Sequence, residues 1–254
     1  MGCGVIVLTI PVIEVVSETG STNSDLLTRL AQGEVISEGH WLRAERQSGG
    51  RGRMGRQWDS PVGNLYCSTV VRVKEGDPPA HSLSFVAGLA VHDLLVGQLM
   101  VASDHRWLKW PNDIIWHGAK MAGILLERQG DTVVVGIGVN VAFAPEIAGR
   151  ETTCIHIANP KNENDAAAIL GYLAPAFAER VKEWRTLGLA YVLDQWMERA
   201  HRKGTRLTVS DGIQAGVTGG FDGLQSDGAL RLKQDDASVV IVNAGEIRMT
   251  SGQA

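Results

Sequence analysis

A run of twelve residues, QSGGRGRMGRQW (47–58), cannot be explained by core packing, because it sets three arginines among four glycines. The segments on either side, HWLRAERQ (40–47) and LYCSTVVRV (65–73), carry the apolar alternation of strands, so the run reads as a loop slung between two strands. Gly49, Gly50, Gly52 and Gly55 let the backbone approach a ligand closely, and Arg51, Arg53 and Arg56 present planar donor forks to phosphate or carboxylate oxygens. The composition is that of an anion-binding loop. A solvated surface loop and an Arg-Gly nucleic-acid patch are the competing uses.

Composition narrows the choice. A formal net charge of −4 leaves no basic excess outside the loop, which argues against a dedicated nucleic-acid binder. The chain is 44% hydrophobic over 254 residues, enough to bury a core in one large domain or one domain with a small appendage. Cys3, Cys67 and Cys154 have neither disulfide-framework nor zinc spacing, which suits a reducing, cytoplasmic compartment. The opening run GVIVLTIPVI lacks a basic flank and is broken by Pro11, so it reads as a buried strand and no membrane span is expected.

Further along, Thr22 can cap a helix over residues 23–32, with Asp25 three residues later and Gly33 ending it. Ser21, Thr22 and Asn23 ring its N-terminus. Pro78 and Pro79 lead into a helix whose core stripe is Leu83, Val86, Ala87, Ala90, Val91, Leu94 and Leu95. Three antiparallel strands follow: one interrupted at Pro111 and Asn112, one returning over residues 121–127 after a His117-Gly118 turn, and one in DTVVVGIGVNV. Lys109, Asn112, Asp113, Lys120 and Asn140 stand at the ends and turns of that sheet, where sites sit on a rigid support. On local grounds alone Lys120 reads as a surface lysine. Asn164 or Asp165 caps a helix running to about residue 184 that Pro175 should kink, and a second helix carries Tyr191, Leu193 and Trp196. From residue 204, Asp-Gly turns at 211–212, 222–223 and 227–228 punctuate short strands of a small antiparallel barrel. A site rich in cations and poor in bases suits a reaction limited by charge repulsion, such as a carboxylate attacking the phosphate of ATP.

STN (21–23), GRGRMGRQW (50–58), KWPNDI (109–114), KMAGILLE (120–127) and GIGVNV (136–141) resemble, in order and spacing, the signature motifs of biotin protein ligases. The resemblance implies an α+β fold: a mixed sheet with packed helices in a class II synthetase-like catalytic domain (1–203), plus a small SH3-like C-terminal β-barrel (204–254). It implies activation of biotin by MgATP to biotinyl-5'-AMP, then transfer to a lysine of a biotin carboxyl carrier domain, of which acetyl-CoA carboxylase is the usual owner. Biotin and MgATP would be substrates, with no tightly bound prosthetic group. By the same resemblance Ser21, Thr22, Asn23, Gln47, Arg51, Gly52, Arg53 and Lys120 would bind biotin. Arg56, Lys109, Asn112, Asp113 and Asn140 would serve the nucleotide, Asp113 with its magnesium, and Lys120 and Arg53 would be catalytic. STN begins at Ser21, so the winged-helix DNA-binding domain of repressor-type members is not expected, and the resemblance admits a monomer or a homodimer. The rivals are a lipoate protein ligase and a non-enzymatic nucleic-acid module using the Arg/Gly loop.

Overall fold

The computed structural model describes residues 11–99, 106–210 and 216–249. A seven-stranded mixed sheet holds β1 (Val12–Thr19), β2 (His40–Gln47), β3 (Leu65–Arg72), β4 (Leu108–Lys109), β5 (Asp113–Trp116), β6 (Ala119–Gln129) and β7 (Thr132–Val139), in the order β1-β2-β3-β7-β6-β5-β4. β1 runs parallel to β2, and the remaining pairs are antiparallel. The expected buried N-terminal strand needs correcting on the part that is described; residues 1–10 lie outside it. Among the described residues β1 is an edge strand, paired on one side by β2, and Val12 is 63% and Val15 50% exposed.

The two faces of the sheet do different work. In β7, Val133, Val135, Ile137 and Val139 join the main core beneath α2 (Leu83–Leu99) and α4 (Ala166–Glu198), while Val134 faces Leu26 of α1 (Thr22–Ala31) on the other side. The α2 stripe expected from the sequence is buried throughout. Residues 80–98 are long and apolar enough to cross a membrane by composition, but 67% of that window is buried inside the protein.

Asp165 caps α4, its side chain accepting from the Ala168 N–H. The chain departs from helical dihedrals at Gly188 (φ 81°, ψ 178°) rather than at the expected Pro175, and Gly188 separates the segment bearing Tyr191, Leu193 and Trp196 from the rest. A short helix, α3 (Ile155–Ala158), precedes α4.

The C-terminal strands β8 (Arg206–Ser210), β9 (Val217–Leu224), β10 (Leu230–Lys233), β11 (Val239–Val242) and β12 (Glu246–Met249) form an antiparallel sheet in the order β11-β10-β9-β8-β12. Leu207, Phe221, Leu230, Leu232 and Ile247 join the same hydrophobic cluster as α2 and α4. The indole N–H of Trp110 donates to Gly228 O at 3.1 Å, which ties this sheet to the KWPNDI segment.

Candidate active site

A cavity of about 870 Å³ opens on the α1 face of the large sheet. Strand alternation sets its floor: Gly136 and Gly138 lie on the face of β7 opposite the core residues, and register pairs them with Ser68, Leu125 and Gly123. A Cβ at Gly136 would stand 2.3 Å from Asn23 Oδ1, and one at Gly138 2.7 Å from the Trp58 ring. Glycine in alternate positions of a strand is therefore what lets α1 and Trp58 approach the sheet.

At one end stand Ser21, Thr22 and Asn23, all buried. The helix begins at Thr22 with Ser21 as the N-cap residue, and no side chain caps it, which corrects the expected Thr22 cap. These polar groups face the cavity network instead. Gln47 Oε1 accepts from the Thr22 N–H at 2.9 Å, the Thr22 and Ser68 hydroxyls are 2.7 Å apart, and Asn23 Nδ2 donates to Glu127 at 2.8 Å. Asp25 turns away to accept from the Thr19 hydroxyl.

The arginine loop folds over this end as a small hairpin. Gly52 N–H donates to Arg56 O at 2.7 Å, and Met54 (φ 58°) and Gly55 (φ 70°) form the turn. Arg51 donates to Ser24 at 2.5 Å and pairs with Glu127 at 2.9 Å. Arg53 reaches Asn112 Oδ1 at 3.5 Å and Gly245 O at 3.4 Å, so the C-terminal sheet contributes to the rim together with Thr205 and Ile247.

Lys120 lies at the other end and is only 9% exposed, which overturns its reading as a surface lysine. An irregularity in the β5–β6 register pairs Ile114 with Ala122 and Ile115 with Lys120, leaving Met121 as the extra residue. Met121 and Ala122 both enter the core, and the bulge turns Lys120 onto the face of Gly123. Its ammonium sits 2.6 Å from Asp113 Oδ1 and 4.9 Å from the centre of the Trp58 ring. Arg150 approaches the other Asp113 oxygen at 3.7 Å.

Burial alone would raise the Asp113 carboxyl, but Lys120, Lys109 and Arg150 more than offset it and hold the group below its ordinary range. Burial pushes the Lys120 ammonium down, opposed by Asp113 and reinforced by Arg150 and Arg56. The cavity lining holds six basic side chains (Arg51, Arg53, Arg56, Lys109, Lys120 and Arg150) against the carboxylates of Asp113 and Glu151. In a chain of net charge −4, positive potential is thus concentrated in one concave place, which favours an anion there.

The cavity gathers Ser21, Thr22, Asn23, Gln47, Arg51, Gly52, Arg53, Arg56, Lys109, Asn112, Asp113 and Lys120. Asn140 is not among its lining residues. It lies buried behind Lys120, its amide donating to Thr153 O at 3.0 Å and Lys120 O at 3.4 Å, so it braces the lysine's backbone. Sequence reasoning missed Ser68, Glu127 and Arg150, whose partners lie far away in the chain. It also passed over the floor of Gly136 and Gly138, although glycine recurring every second residue in VVVGIGVNV was a legible sign of close approach.

Residues 17–143 match the profile of the biotin/lipoate A/B protein ligase family. The chain is similar to the biotin--[acetyl-CoA-carboxylase] ligase of Paracoccus denitrificans, 38% identical over 240 residues that cover 91% of this chain and 98% of that protein. It is also similar to the enzyme of the same name from Mycobacterium tuberculosis, 35% identical over 246 residues covering 92% and 88%. Among solved structures, the biotin protein ligase from Aquifex aeolicus in complex with biotin and ATP superposes with a TM-score of 0.81 at 25% identity, covering 94% of this chain and 99% of that one.

Proposed function

The chain belongs to the biotin/lipoate A/B protein ligase family, and from that membership we propose that it joins biotin to a lysine of a biotin carboxyl carrier domain of acetyl-CoA carboxylase. The observation that carries the reading is one cavity with a neutral hydrogen-bonding end at Ser21–Asn23 and a cationic end at Lys120 and Asp113. The polar end suits a ureido ring. Trp58 above the glycine floor offers an apolar wall to the bicyclic ring and its acyl chain.

Biotin's carboxylate oxygen attacks the α-phosphorus of ATP, the α–β bridging P–O bond breaks, and pyrophosphate leaves. Both reactants are anionic, so their mutual repulsion is a large part of the barrier. Lys120 is a compact, partly desolvated cation that can sit between them, and Arg53 and Arg56 add donors from the loop. Asn112 and Lys109 stand beside this end for the nucleotide, with Asn140 acting through the Lys120 backbone. In the second step the acceptor lysine's amine attacks the acyl carbon, the bond to AMP breaks, and the amine releases a proton. The loop shields the acyl-adenylate from water between the steps.

Among the described residues no cluster of three or more His, Cys, Asp or Glu could hold a metal alone. Asp113 is already engaged by Lys120 and Arg150, so this donor set fits magnesium that arrives on the nucleotide phosphates, with the Asp113 carboxylate nearby. When bound, the ion supplies charge neutralisation at the phosphates. We divide the chain into a catalytic unit (1–203) and an SH3-like C-terminal unit (204–254) that supports the rim of the site, and we place the enzyme in the cytoplasm.

The direct test is biotin-dependent exchange of labelled pyrophosphate into ATP, which needs no acceptor. Exchange with biotin and none with lipoate is expected. Exchange with lipoate alone would overturn the assignment in favour of a lipoate ligase.

A further inference from the structure

The donors and acceptors behind the polar end of the cavity can be assigned one after another. Asn23 Nδ2 lies 2.8 Å from Glu127 Oε2 and 3.4 Å from Leu125 O. A backbone carbonyl can only accept, so the nitrogen of the Asn23 amide faces these two groups and its oxygen faces Ser68. Ser68 Oγ is 2.6 Å from that oxygen and must donate to it. A serine hydroxyl has one hydrogen, so across the 2.7 Å contact between Thr22 and Ser68 the donor is Thr22. Gln47 Oε1, 3.2 Å from the Thr22 hydroxyl, is served instead by the Thr22 backbone N–H at 2.9 Å. The hydrogen of Thr22 is thereby spent inside the protein, and only lone pairs remain to face the cavity that Thr22 lines.

We propose that Ser68, Asn23 and Glu127 are positioning residues that hold the Thr22 hydroxyl as a hydrogen-bond acceptor, so that the head pocket selects a ligand ring bearing an N–H. The inference rests on the ligase reading and says how that site tells its substrates apart. A ureido ring supplies the N–H. A dithiolane ring has none, and burying the Thr22 oxygen against it leaves an acceptor unpaired. Asn23 thus changes role: its amide is committed to Ser68, Glu127 and Leu125, and it organises the pocket rather than touching biotin. Gly136 is a condition of the relay, since a Cβ there would lie 2.3 Å from Asn23 Oδ1. Glu127 also holds Arg51, which couples the relay to the loop above it.

A double-mutant cycle on the full chain tests this by calorimetric titration with biotin. Ser68→Ala releases the Thr22 hydrogen to point elsewhere, and biotin affinity should fall roughly five- to tenfold, the worth of one oriented hydrogen bond. In a Thr22→Val background the same Ser68→Ala change should cost less than about twofold, because there is no hydroxyl left to orient. The KM for ATP should be unmoved in every variant. A purely structural Ser68 would lower affinity by the same factor in both backgrounds, and that result, or unchanged affinity in Ser68→Ala, overturns the proposal. Should Ser68→Ala fail to fold, Ser68→Cys, whose thiol is a weak donor, serves the same cycle. Wild-type protein that binds no biotin would refute the ligase reading itself, whereas an additive cycle removes only the relay.

Discussion

Replacing Lys120 by alanine should change both stability and rate, and the structure sets the size of each. Removing one partner of a buried ion pair costs about 3–5 kcal/mol when the other is left uncompensated. Asp113 keeps Arg150 at 3.7 Å and borders an open cavity, so it is not left wholly uncompensated and a smaller loss of about 2–3 kcal/mol is expected, below that range. In catalysis, losing one preorganised donor costs roughly 3–4 kcal/mol at the transition state, about a hundred- to a thousandfold in pyrophosphate exchange. Lys120→Arg should recover part of this, since a planar fork does not match a compact ammonium. The pH dependence gives a second handle. In the wild type the Asp113 carboxyl is depressed by Lys120, Lys109 and Arg150, against the opposing effect of burial. Its stabilising contribution is present above the unfolded value of about 3.9 and is lost as pH falls through the lower folded value. Without Lys120 the folded value rises, so acidification from neutrality toward pH 4 should narrow the stability gap between variant and wild type. Urea unfolding at several pH values and exchange kinetics at neutral pH measure both effects. A Lys120→Ala protein with wild-type exchange rates would remove the residue from the mechanism, and a stability gap that does not change with pH would refute its coupling to Asp113.

Gly136→Ala should cost about 1–3 kcal/mol by overpacking and weaken biotin binding by displacing Asn23, to be seen in denaturant melts and titration calorimetry. Unaltered affinity would mean that the close approach of α1 to the sheet is dispensable. Residues 49–55 should be cut by protease in the free protein and protected by biotin or the adenylate, because fixing four glycines in seven residues is entropically costly. Equal cleavage with and without ligand would count against loop closure. Deleting the chain from about residue 204 should expose the shared core and remove Gly245 from beside Arg53, impairing turnover more than biotin binding. A soluble truncation with full turnover would show that the C-terminal sheet is not needed.

Much of the architecture could be read locally. The α2 stripe, the strands flanking the arginine loop, the His117-Gly118 turn and the Asp165 cap each depend on residues within a few positions of one another, where periodicity and turn chemistry operate. The ordered motifs also brought nearly all the expected residues into one cavity. Misreadings arose where a neighbour in space was distant in the chain. Thr22 looks like a helix cap from its own segment, yet its partners are Gln47 and Ser68, 25 and 46 residues away. Lys120 looks exposed until the bulge at Met121 turns it inward toward Asp113. Pro175 is the stronger local helix breaker, but the break falls at Gly188. Asn140 serves the nucleotide by resemblance, and only the packing of residues 151–153 beside β6 shows that it holds Lys120 from behind. Period and turn type are written in adjacent residues, whereas the partner of a buried polar group is settled by which strands lie side by side, and that choice is made by the whole sheet.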